Sequence, residues 1–218
     1  MQRMYQMKAL IIINGTLPNS ALVEPLLQTC DLIICADGGA NQAIKRGIMP
    51  DFIVGDFDSI NSKTIGHFAD TSFIHLPDQN ATDFEKTLQI ALEKGVDSAT
   101  VLGISGARFD HQLCNLNVME KYNPKIELNF VDDWGTGFFI TSRLEFEGEI
   151  GQQISLHAMR RVEGIVTSGL KYPLQNEALE WAVRDGQSNE IVANPVGISL
   201  TSGCLFVFIS HNNQAWGL

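Results

Sequence analysis

The residues best suited to chemistry are aspartates grouped near glycines. In Gly55-Asp56-Phe57-Asp58-Ser59 two carboxylates stand two positions apart. Side chains of an extended segment repeat every two residues, so Asp56 and Asp58 are expected to point the same way. Carboxylates facing one way repel unless a cation lies between them, and such oxygen ligands suit Mg²⁺, which binds one or two carboxylates together with substrate phosphates. A solvated acidic turn is the alternative, but the apolar run just before it speaks against a random surface turn.

Three further segments have the same character. Asp37-Gly38-Gly39-Ala40-Asn41 offers two glycines at a helix start, where backbone N–H groups approach a phosphate or ribose unhindered and the helix dipole favours an anion. It also reads as a strand-to-helix turn capped by Asp37. In Asp78 to Lys86, Thr82 and Glu85 have capping-box spacing, which makes Asp83 the first helical residue. Phe84, Leu88 and Ala91 then form a buried face, with Asp83 and Lys86 three residues apart on another. This pair could hold a metal and a phosphate, or be a first-turn acid with an exposed partner. In Gly103 to Asn115, Arg108 carries a planar fork for phosphate oxygens, Asp110 is placed to cap a helix, and Asn115 lies one turn beyond His111. A surface cation, a cap and a satisfied histidine are the structural alternative.

Elements that would position these segments are legible around them. Continuous apolar runs at Lys8-Ile13, Leu32-Ala36, Phe52-Val54, Ser72-Leu76, Thr100-Ile104 and Ile126-Val131 predict strands buried on both faces. Helical stretches at Ala21-Gln28, Asn41-Arg46, Asp83-Lys94 and Asp110-Lys121 alternate with them, and Gly47 and Gly95 stop two of these helices. The alternation predicts a parallel sheet covered by helices, with each Asp-bearing loop at the carboxyl end of a strand, where open α/β sheets bind ligands. Four such loops on one rim are far stronger evidence than any one motif.

Near residue 133 the pattern changes. Asp132-Asp133 followed by Gly135 and Gly137 reads as a linker. Beyond it, period-2 alternation in Leu144-Glu147, Ile154-His157, Ile198-Leu200 and Leu205-Phe208 predicts a small all-β domain. The expected architecture is therefore α/β, a Rossmann-like parallel-sheet domain over 1–133, then a small all-β sandwich over 134–218.

The 218 residues are 44% apolar and 18% charged, which excludes intrinsic disorder, and their formal net charge is −10. No basic stripe is present, so nucleic acid is not an expected partner. The Ala9-Ile13 run is too short for a membrane span and no signal-peptide pattern follows it, which predicts a cytoplasmic protein. Cys30, Cys35, Cys114 and Cys204 form no CxxC pair and read as buried reduced thiols.

Together the motifs resemble the thiamine pyrophosphokinase family. The matching pieces are DGGAN at 37–41, PDFIVGDFDSI at 50–60, PDQNATDFEK at 77–86, GISGARFDHQLCN at 103–115, SGLKYPL at 168–174 and SNE at 188–190, in family order and at family spacing. The resemblance implies an N-terminal domain that binds ATP and Mg²⁺, a C-terminal sandwich that helps to bind thiamine, and a homodimer whose active sites are shared between subunits. The implied reaction is pyrophosphoryl transfer from ATP to the hydroxyl of thiamine, giving thiamine diphosphate and AMP.

On this reading Asp56, Asp58 and Asp83 hold Mg²⁺, and Asp58 or Asp83 orients or deprotonates the hydroxyl. Asp37, Gly38, Gly39 and Asn41 hold the nucleotide, Lys86 and Arg108 its phosphates, and Asp110, His111 and Asn115 line the nucleotide side. Ser188, Asn189 and Glu190 match the thiamine-side motif, Gln79 reaches the same ligand, and Tyr172 and Phe206 are stacking candidates that also read as core. Ala107 and Asn80 depart from the family pattern, which has Gly and, in some members, Asp there. A pterin pyrophosphokinase of the same fold and a non-catalytic thiamine-binding protein are the competing readings.

Overall fold

The computed structural model describes residues 6–106 and 108–211. The chain divides into two compact units, one ending at Asp133 and one beginning at Trp134.

The first unit alternates strand and helix: β1 (Lys8–Ile12), α1 (Ser20–Thr29), β2 (Leu32–Ala36), α2 (Gly39–Lys45), β3 (Phe52–Gly55), α3 (Ser62–His67), β4 (Ser72–His75), α4 (Asp83–Glu93), β5 (Ser98–Leu102), α5 (Phe109–Tyr122) and β6 (Glu127–Val131). Its strands pair in parallel in the order β6-β5-β1-β2-β3-β4. The central strands are apolar because both faces are covered: Ile11, Ile12, Ile34, Cys35, Ile53, Val54, Val101 and Leu102 are buried. Since β1 is followed by β2 on one side and flanked by β5 on the other, the strand order reverses between β1 and β5. Open α/β sheets form a ligand crevice at such a switch point.

Local signals set the helix starts. The Asn19 side chain accepts from the Ala21 N–H, Asn61 from Thr64, and Thr82 from Glu85, so each cap satisfies an otherwise unpaired first-turn donor. Asp83 is thus the first residue of α4, as the capping-box spacing predicts. Asp110 is not the cap of α5. The helix begins at Phe109 after Arg108, without a side-chain cap, and Asp110 lies in its first turn. The short α3 has no counterpart among the predicted helices.

Among the described residues the second unit is all β: β7 (Gly135–Ile140), β8 (Arg143–Phe146), β9 (Gln153–His157), β10 (Val162–Ser168), β11 (Gln175–Leu179), β12 (Gly186–Glu190), β13 (Val196–Ser199) and β14 (Leu205–Ser210). Two antiparallel ladders form, β12-β9-β14-β7 and β11-β10-β13-β8. Alternate residues of both meet in one core, with Ile154, Leu156, Leu205 and Val207 packed with Val162, Ile165, Leu179, Val196 and Ile198. The stretch holding Gly135 and Gly137 is strand β7 and not a linker. The Gly135 Cα lies so close to the Phe208 ring and the Ile209 carbonyl that a Cβ there would come within 2.5 Å of them.

Of the four cysteines, all free, only Cys35 is buried, and burial pushes its thiol pKa up. Among the described residues no helix is long and apolar enough to cross a membrane.

Candidate active site

A cleft of about 620 Å³ opens at the carboxyl ends of the first unit's strands. The loop after β1 (Asn14, Gly15) and the loop after β5 (Gly103, Ile104) form one side, as the switch point dictates. Gly38, Asp56, Asp58, Gln79, Asp83, Lys86, Arg108, His111 and Asn115 also line it. Gly39, Asn41 and Asp110 do not, and Asp37 lies buried behind the lining. Asn41 instead braces the floor: its Nδ2 donates to the Ser59 carbonyl at 2.8 Å, and its Oδ1 accepts from Nδ2 of Asn61 at 2.7 Å.

The acidic rim is tighter than the sequence suggests. Carboxylate oxygens of Asp37, Asp56 and Asp58 lie within 4.8 Å of one another. Strand alternation is not what gathers Asp56 and Asp58. Strand β3 ends at Gly55, and Phe57 adopts a left-handed φ of 68°, so the two aspartates flank a bend. The Phe57 ring holds that bend by packing 5.5 Å from both Phe73 and His75 on β4. Asp37 is also left-handed, at φ 35°, an uncommon conformation for a residue with a Cβ. A Cβ on Gly55 would stand 2.8 Å from that of Asp37 and 3.2 Å from Oδ1 of Asp83, so glycine lets these two aspartates approach.

Electrostatics follow from the packing. Asp37 is 1% exposed. Its burial, only partly offset by the Ser59 N–H that donates to Oδ2, raises its pKa to about 6, and the Asp83, Asp58 and Asp56 carboxylates push the same way. Its Oδ1 is buried with no hydrogen-bond partner. A hard divalent cation is the group that such an oxygen and two neighbouring carboxylates fit. Asp56 is held below the usual carboxylate range, first by Nε2 of Gln79, which donates to its Oδ2 at 2.7 Å; burial opposes this, and the Asp58 N–H and Lys86 add to it.

Lys86 is buried, not exposed. Its Nζ lies 3.0 Å from Oδ1 of Asp83 and 3.7 Å from Oδ2 of Asp56. Burial works against its charge, but the two carboxylates outweigh it and its pKa is raised. Arg108 turns its fork onto the exposed Asp110, with Nε and Nη2 at 3.1 and 2.6 Å. Nδ2 of Asn115 reaches the Ile104 carbonyl at 3.5 Å. The departure at Asn80 has a local account: beside its backbone N–H, its Nδ2 donates to Oδ1 of Asp78, a second donation that a carboxylate at position 80 could not make. Position 107 lies outside the described residues.

In the second unit Ser188, Asn189 and Glu190 end β12, where the pairing with β9 shifts register. Ser188 is left-handed at φ 57° and donates its N–H to Oγ of Ser155. Glu190 pairs with Lys171 at 2.8 Å. Tyr172 is 64% exposed and Phe206 is buried, so the two stacking candidates part company. Phe206 sits between Phe139 and His157 on the adjacent strands, at centroid distances of 5.2 and 6.5 Å.

Asn14, Gly15 and Cys114 line the cleft although sequence reasoning passed them over. Asn14 and Gly15 follow β1 directly, so the strand-end rule applied to the other loops would have found them.

An open α/β sheet with carboxylates and a buried lysine around its switch-point cleft, joined to a β-sandwich, defines a two-domain protein built for phosphoryl chemistry. Comparison with known proteins narrows the class. Residues 23–130 match the family model described as thiamin pyrophosphokinase, catalytic domain, and residues 141–205 match thiamin pyrophosphokinase, vitamin B1 binding domain. The chain is 32% identical to thiamin pyrophosphokinase 1 of Caenorhabditis elegans over 191 residues, 79% of this chain and 76% of the relative. It is 28% identical to the thiamine pyrophosphokinase of Bacillus subtilis, over 94% of this chain and 99% of the relative. The crystal structure of a Bacillus subtilis thiamine pyrophosphokinase superposes with a TM-score of 0.82 at 25% identity, covering 94% of this chain and all of that one. The chain belongs to the thiamine pyrophosphokinase family.

Proposed function

We infer that this protein transfers the pyrophosphoryl group of ATP to the hydroxyl of thiamine, releasing AMP. Family membership supports this over a pterin acceptor or a non-catalytic binder. The observation that carries it within the site is the convergence of Asp37, Asp56 and Asp58 beside Asp83 and the buried Lys86 at the cleft.

Such a transfer requires positioning and charge neutralisation more than covalent help. Mg²⁺, held by Asp56 and Asp58 with Asp83 or Asp37 completing the set, would supply charge neutralisation on the phosphates. Asp83 or Asp58 orients the thiamine hydroxyl and takes its proton as it attacks the β-phosphorus. Lys86 faces the phosphates from the cleft floor, and Arg108 reaches them by exchanging Asp110 for a phosphate oxygen. Gly38 and the Asn14-Gly15 loop approach the nucleotide, with His111 and Asn115 on its far side. Gln79 acts on the acidic rim through Asp56 and lines the same cleft, within reach of the acceptor. The first unit is the ATP- and Mg²⁺-binding domain and the second the thiamine-binding and dimerisation domain of a homodimer, each active site drawing on two subunits. ATP as co-substrate fits a cytoplasmic location.

The test is a coupled assay for AMP with thiamine as acceptor. Thiamine-dependent AMP release is expected. ATP turnover without thiamine diphosphate formation would refute the assignment.

A further inference from the structure

Asn189 belongs to the SNE segment that resembles a thiamine-side motif, yet its own amide is already occupied. It is 7% exposed. Its Oδ1 accepts from the Tyr172 N–H at 3.0 Å and from the Glu190 N–H at 2.9 Å, while Nδ2 donates to the Tyr172 carbonyl at 2.8 Å. An amide oxygen has two lone pairs and the nitrogen two hydrogens, so a single N–H remains.

One donor and one acceptor directed at the same residue reproduce what a neighbouring β-strand offers. The need for this is visible in the chain path. Leu170 still bridges Ile191, and the Lys171 N–H still donates to the Glu190 carbonyl at 2.9 Å. The next rung would fall to position 189, whose backbone is paired with Ile154 of β9 beyond the left-handed Ser188. The Asn189 side chain supplies that rung. What it fixes is a residue that is 64% exposed, with Nζ of Lys171 5.9 Å from its ring centroid. An aromatic face held outward on a clamped backbone suits a flat, cationic ligand.

We propose that Asn189 is a positioning residue: it clamps the Tyr172 backbone so that the tyrosine ring forms a wall of the thiamine site, and it makes no contact with thiamine itself. This rests on the function inferred above.

A double-mutant cycle on the full-length protein tests it. Tyr172→Ala removes an aromatic contact and is expected to raise the KM for thiamine about tenfold. Asn189→Ala should raise it to a similar extent, with the KM for ATP unchanged, and Tyr172→Phe should stay near wild type. The double variant should be no worse than Tyr172→Ala, because a clamp has no value once its ring is gone. Amide exchange at Tyr172 should accelerate in Asn189→Ala. If that variant does not fold, Asn189→Asp, which keeps both acceptor roles, is carried through the same cycle. Multiplicative effects, or unaltered Tyr172 exchange, in a protein that turns over thiamine would overturn the positioning role alone. Absence of thiamine-dependent AMP release by the wild type would overturn the function and this role together.

Discussion

Lys86 and Asp83, one turn apart on α4, form a 3.0 Å ion pair in which the lysine side chain is 4% exposed and the aspartate 28%. The lysine therefore serves as internal counter-cation to a rim of carboxylates. Removing the lysine leaves the part-exposed Asp83 and Asp56 carboxylates uncompensated, at a cost below the ~3–5 kcal/mol of a fully buried pair. Lys86→Met should lower the apo melting temperature by several degrees at pH 7.5 and abolish most turnover. Added Mg²⁺ should stabilise the variant more than the wild type, since it neutralises the same carboxylates. Calorimetry with and without Mg²⁺ checks this, and equal shifts in the two proteins would contradict it.

Asp37 gives a pH signature. Its folded pKa of about 6 lies above the 3.8 of a free aspartate, so the fold favours the protonated form. The apo protein should keep this contribution at low pH and lose it as pH rises through about 6, approaching about 3 kcal/mol at the limit. Asp37→Asn should flatten stability between about pH 4 and 6.5, melt higher than wild type at pH 7.5 without metal, and bind Mg²⁺ more weakly. Denaturant titrations across that range decide the matter.

Asp58→Asn and Asp83→Asn should each reduce turnover at least about a hundredfold with secondary structure retained, because the charge of these groups is what the transfer requires. Asp83→Asn should also lower the melting temperature, since Lys86 then keeps only Asp56 as counter-charge. Steady-state kinetics at limiting Mg²⁺, with circular dichroism as the folding control, measure it. Near-wild-type rates in both variants would move the metal ligands elsewhere.

The proposed homodimer with shared sites predicts complementation. Mixing Asp83→Asn and Asn189→Ala subunits under exchange should give about half mixed dimers, each with one whole site, and recover about a quarter of wild-type activity at low thiamine. No recovery despite mixed dimers seen by native mass spectrometry would mean that each site is built within one chain.

Buried parallel strands were readable because burial on both faces demands unbroken apolar runs, as in Ala9-Leu10-Ile11-Ile12. Strands β7 and β10 escaped notice, and so did β11 and β12, each of which ends its ladder and is largely exposed, so that QNEAL and GQSNE carry no alternation. Helix α3 is six residues long, too short for a period, and is announced only by its Asn61 cap. The site residues were legible as types at strand ends, but not their environments. Nothing in TDFEK tells that Lys86 is enclosed, and nothing in ADGG tells that Asp37 joins Asp56 and Asp58. Those facts depend on contacts between loops more than fifteen residues apart.

The Phe57 ring wedged against Phe73 and His75 ties the carboxylate bend to β4, which has a neighbour on one side only. Border strands open before interior ones as temperature rises. Competence for the reaction should then expire at the sheet's margin while its centre is still intact: heat inactivation would precede global melting, and a substrate that fastens the bend would close the gap between the two temperatures.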